Sequence, residues 1–80
     1  MKVCEVVWED AFIDTDDMTI KKAKKLKPVK RSTTGYLVAE NKHGIILSTD
    51  YYHAKKTKEI AAPMMIPWGI VKTYTVFEDG

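Results

Sequence analysis

The chain has 80 residues, 45% of them hydrophobic and 30% charged, and a formal net charge of +2. This composition excludes a low-complexity or disordered chain and describes a single globular domain over residues 1–80. A chain of this length buries only about 60–65% of its unfolded surface, so its small core is fully committed to stability.

Residues 2–8 read as a strand with Cys4, Val6 and Trp8 on one face and Val3, Glu5 and Val7 on the other. A polar loop follows from Glu9-Asp10. Thr19 is the expected N-cap of a helix of about two turns, with Ile20, Ala23 and Lys24 on one face. Pro28 disfavours helical geometry at Lys27 and ends it. Residues 32–40 are the second strand, with Tyr36, Val38 and Glu40 on one face and Leu37 and Ala39 on the other. Asn41-Lys42-His43-Gly44 reads as a hairpin turn in which Gly44 supplies a positive φ. Ile45–Thr49 is the return strand. Asp50–Lys58 is a polar, aromatic loop, and a fourth strand covers Glu59–Ile66. Pro63 within it requires an edge, a bulge or a corner. Pro67-Trp68-Gly69 is a tight turn, and Ile70–Phe77 is the last strand. The expected fold is mainly β: a small five-stranded SH3-like barrel, or a strongly bent sheet, with one short α-helix in the first connection.

The net charge conceals a segregation. Residues 1–20 hold one basic and six acidic groups, and residues 21–31 hold seven basic and none acidic. The basic groups are Lys21, Lys22, Lys24, Lys25, Lys27, Lys30 and Arg31, and the remainder of the chain balances. Such a run is either a solvated helix with snorkelling lysines or a face offered to an anion. The acidic segment beside it argues against general nucleic-acid binding.

No stretch is apolar and long enough to cross a bilayer, and the N-terminus lacks the apolar run of a signal peptide. The lone cysteine excludes an internal disulfide framework and fits a reducing compartment, so a cytoplasmic location is expected. Cys4 lies on an alternating strand face and reads as a buried, inert thiol. Asp14-Thr15-Asp16-Asp17 lacks the glycine and distal glutamate of a calcium loop. His43 and His53 have no partner at metal-ligand spacing. Without an acid–base pair, a phosphate loop or a metal set, neither catalysis nor a cofactor is expected.

Binding chemistry is better represented. Arg31-Ser32-Thr33-Thr34 offers a guanidinium and three hydroxyls of the kind that grip phosphates. Trp8, Tyr51 and Tyr52 offer ring faces on which bases stack, with His53 and Lys55 nearby. These nine residues are the candidate ligand contacts.

Several short segments carry a family likeness. They are Val7-Trp8-Glu9-Asp10-Ala11, the helix closing on Pro28, Thr33-Thr34-Gly35-Tyr36-Leu37-Val38, Ile45-Ile46-Leu47-Ser48 and Ile66-Pro67-Trp68-Gly69-Ile70-Val71. In their order the chain resembles a family of small phage-encoded proteins, similar to the anti-CBASS "sponge" proteins that sequester cyclic nucleotides. The chain departs from that pattern at Met18, where a tryptophan is expected, and in a helix that is nearly all lysine. The resemblance implies a non-catalytic phage protein, acting in the infected bacterial host, that holds a cyclic oligonucleotide such as 3′,3′-cGAMP and so evades bacterial defence. A barrel this small has no interior for such a ligand, so a homo-oligomer with an intersubunit pocket is expected. Two other readings stand beside it. One is a protein-interaction module using Met64, Met65 and Trp68 to inhibit a host protein. The other is a nucleic-acid-binding barrel using Lys21–Arg31.

Overall fold

The computed structural model describes residues 1–53 and 59–77. Strand β1 (Val3–Asp10) leads to the short helix α1 (Ile20–Ala23) and then to β2 (Val29–Asn41), β3 (Gly44–Ser48), β4 (Asp50–Tyr52), β5 (Glu59–Ala61) and β6 (Met64–Pro67). A 3-10 turn (Trp68–Ile70) then feeds β7 (Val71–Phe77). Five strands form one antiparallel sheet in the order β6-β3-β2-β1-β7, while β4 and β5 pair as a separate ladder. The edge strands β6 and β7 do not pair with each other, so the sheet is not a closed barrel.

The alternation of β1 determines which side of the sheet becomes the interior. Cys4, Val6 and Trp8 are buried with Ile45, Leu47 and Ile66, and Leu37, Met64, Ile70, Val71, Tyr74 and Val76 pack against them. This cluster draws on β6 at one edge and β7 at the other. Both edges therefore curl toward the same inner face, and the sheet is strongly bent.

Local chemistry explains the corners. The Asn41 side-chain oxygen accepts from the backbone N–H of His43 at 2.8 Å and of Gly44 at 3.3 Å, closing the hairpin as an Asx-type turn. Gly44 is required because a Cβ there would collide with the carbonyl of Ile66. Gly35 meets a similar restriction, since a Cβ would lie 2.6 Å from the Ser48 carbonyl oxygen. The expected strand over Glu59–Ile66 is broken at Ala62-Pro63, where Ala62 has φ +42° and the chain passes from β5 to β6. Opposite this break, the Ser48 hydroxyl sits between the carbonyls of Asp50 and Ala61 and tethers the small ladder to the main sheet.

The segment expected as a loop over Asp50–Lys58 begins instead as strand β4, because Asp50–Tyr52 find pairing partners in Glu59–Ala61. Two further expectations need correction. The helix is four residues long, not two turns. Thr19 caps it as expected, accepting from the Lys22 N–H at 3.2 Å. However, none of its residues is buried, and repulsion among lysines three and four apart gives no reason to extend. The second correction lies in β2, which begins at Val29 and carries a register shift between Leu37 and Ala39. The extra residue reverses the alternation beyond it. Glu40, expected to share a face with Tyr36, instead pairs with the buried Ile45 on the inner face.

Burial pushes the Cys4 thiol above its ordinary pKa. A thiol reagent should therefore label the protein only as it unfolds, and rapid labelling under native conditions would contradict this placement. Gly35→Ala should cost roughly 1–3 kcal/mol by forcing β2 away from β3, measurable by chemical denaturation.

Candidate functional site

The ladder between β1 and β2 sorts the candidate residues onto two faces. Trp8 pairs with Arg31 and Val6 with Thr33, whereas Val7 pairs with Ser32 and Glu5 with Thr34. Arg31 and Thr33 therefore share the inner face with Trp8, and Ser32 and Thr34 lie on the outer face.

On the inner side the polar groups are already engaged. Trp8 is only 6% exposed and donates from its indole Nε1 to the Thr33 hydroxyl at 3.0 Å. The Arg31 guanidinium lies 5.6 Å from the centroid of the Trp8 ring and donates to the Asp10 carboxylate at 3.1 Å. This arrangement covers the end of the core with one cation–π contact and one ion pair. The Trp8 ring has little face left for a base.

The outer side is open. Counting back from Tyr36 at the period of a strand, Thr34, Ser32 and Lys30 follow along β2, a row spanning about 20 Å. The Tyr36 ring lies 6.0 Å from that of Tyr51, and Tyr51 meets His53 edge-on at 4.4 Å. Ser32, Thr34 and His53 are exposed, and Tyr36 and Tyr51 are half-buried. The result is one continuous strip: an ammonium, two hydroxyls, two phenol rings and an imidazole. Tyr36 and Lys30 were not among the candidate contacts. The period-two spacing of Lys30, Ser32, Thr34 and Tyr36 is the signal that unites them. Tyr52, at 46% exposure, follows Tyr51 in β4 and alternates away from it. Lys55 lies outside the described residues.

A third cluster occupies the far end of the core. Trp68 donates its Nε1 to the Asn41 carbonyl and packs edge-on against Tyr74 at 5.8 Å. The Tyr74 hydroxyl is sealed from solvent and makes no hydrogen bond of normal geometry. Burial and then the neighbouring Glu40 carboxylate push its pKa up to about 12. Met65 and Trp68 are exposed at 43% and 39%, while Met64 packs on the core.

Among the described residues, no group of three or more His, Cys, Asp or Glu side chains is placed to hold a metal. They enclose no pocket, and none of their helices is long and apolar enough to cross a membrane. No protein-family model, curated protein or solved structure matches the chain.

The Tyr74 phenol has a raised folded-state pKa. The stability it contributes is complete below pH 10 and is lost as pH rises toward about 12. Tyr74→Phe should flatten the stability profile over that window. At neutral pH its effect should be small, because the phenol makes no hydrogen bond of normal geometry and its removal leaves the exposed Glu40 carboxylate free to turn to water. Denaturant midpoints across the alkaline range test both expectations.

Proposed function

We propose that this chain is a non-catalytic phage protein that binds and sequesters a cyclic oligonucleotide signal, with 3′,3′-cGAMP as the representative ligand. The observation that carries this reading is the outer strip. Tyr36 and Tyr51 supply ring faces for stacking, and Ser32, Thr34 and Lys30 supply donors for phosphate oxygens on the same side of the sheet. The likeness of the sequence to anti-CBASS sponge proteins supports the choice of ligand class. In the same reading the sheet is an opened SH3-like barrel. Its strand order places the last strand beside the first, after a 3-10 turn.

The strip lies on an open sheet face. Tight retention of a nucleotide needs burial from more than one side, so a second copy of the chain completes the pocket. Holding a ligand without turnover requires no acid–base pair, and stacking with hydroxyl donation is sufficient.

Calorimetry and native mass spectrometry with 3′,3′-linked cyclic dinucleotides and related trinucleotides test the proposal. Retention at micromolar concentration is expected. Tyr51→Ala should weaken it by roughly tenfold or more, in line with about 1–3 kcal/mol for one stacked base. Ser32→Ala with Thr34→Ala should weaken it further without unfolding the sheet, because both side chains are exposed. Failure to retain any of these nucleotides would remove the proposal.

A further inference from the structure

The β1–β2 ladder closes on the pair Asp10–Val29, so residues 11–28 leave the end of the sheet as one arm whose two ends are adjacent. This arm contributes nothing to the buried core. Ile13 is 90% exposed and Ile20 77%, and Phe12 and Leu26 are exposed at 45% and 49%. Large apolar side chains grouped on one exposed element are a feature of surfaces that meet a partner. The described part of the chain is also extended. Its radius of gyration is 16.5 Å, against about 12 Å for a compact domain of this length.

The charges of the arm identify the partner. Its first half holds Asp14, Asp16 and Asp17 and no basic residue, and its second half holds Lys21, Lys22, Lys24, Lys25 and Lys27 and no acidic one. Among the described residues none of these eight groups forms an ion pair. The two halves do not neutralise each other within one chain. A two-fold axis can set two such arms antiparallel, with each acidic half against the basic half of the other. Apolar residues occur in both halves, so Phe12 and Ile13 of one arm then face the Ile20–Leu26 region of its mate. A surface that is self-complementary in this way is what a two-fold interface requires. A polyanion would meet the three aspartates, and an acidic partner would leave Phe12 and Ile13 uncovered.

We infer that the arm of residues 11–28 is a homotypic docking element that joins two copies of this chain through antiparallel, charge-complementary pairing. This inference shares with the ligand reading only the presence of a second copy. Its test uses the full chain without nucleotide, so the two can fail separately.

Light scattering and sedimentation at high micromolar concentration and low ionic strength should give the mass of two chains, with dissociation as salt is raised. A variant with Asp14→Lys, Asp16→Lys and Asp17→Lys has an all-basic arm. A variant with Lys21→Glu, Lys22→Glu, Lys24→Glu and Lys25→Glu has a predominantly acidic one. Each alone should have the mass of one chain, and an equimolar mixture of the two should recover the mass of two. Ile13→Ser with Ile20→Ser, which leaves every charge in place, should also give single chains. Circular dichroism should be unchanged in all of these variants, since the altered side chains are exposed. A wild-type chain with the mass of one copy would overturn the inference. So would a charge-inverted variant that stays paired by itself, or a mixture of the two that stays unpaired.

Discussion

The structure depends on one constraint: a single sheet has to hide its own inner face. Among the described residues no helix layer or second large sheet covers Cys4, Val6 and Trp8, since α1 buries none of its residues. The cover comes from the sheet edges. Ile66 on β6 and Tyr74 and Val76 on β7 close over β1 from opposite sides, and the 3-10 turn carries the chain between those edges. Glycine at 35 and 44 follows from this curvature, because each lies where another strand's backbone comes too close for a Cβ.

With the inner face filled by the chain's own side chains, any chemistry directed outward is confined to the outer face and the projections. The two are chemically distinct. The outer face of β2 presents hydroxyls, ring faces and one ammonium in a row, a surface of directional donors with a single positive charge at one end. The arm between β1 and β2 presents dense, sorted charge over an apolar foundation. Trp8 and Arg31 belong to neither, because indole and guanidinium are used on each other and on Thr33 and Asp10.

Those parts of the fold that depend on short-range chemistry were legible in the sequence. Alternation in β1 identified the Cys4–Val6–Trp8 face, Thr19 announced its cap, Asn41–Gly44 its turn and Pro63 its corner. The extra residue near Val38 had no local signal. It is imposed by how β2 must bend to pair with β1 along one part and β3 along the other, and it sends Glu40 inward beside Tyr74. The candidate contacts were legible only in part. Arg31-Ser32-Thr33-Thr34 reads as one polar cluster along the chain, yet an extended backbone directs neighbours to opposite sides. Tyr36 joined the surface only once Tyr51 was seen to fold back beside it.

Among the described residues the open sheet also leaves two edges unpaired, each a row of backbone groups able to recruit another strand. They are protected unequally. β6 spans only Met64–Pro67, is preceded by Pro63 and ends in a second proline, so it lacks two of the donors a growing ladder would use. β7 is seven residues long, and its defence is a register shift near Trp8, with Lys72 held 3.5 Å from Glu9. Protection of the two edges therefore differs in kind: on the β6 side it is covalent, set by two prolines, and on the β7 side it rests on geometry and on a charge pair that salt screens.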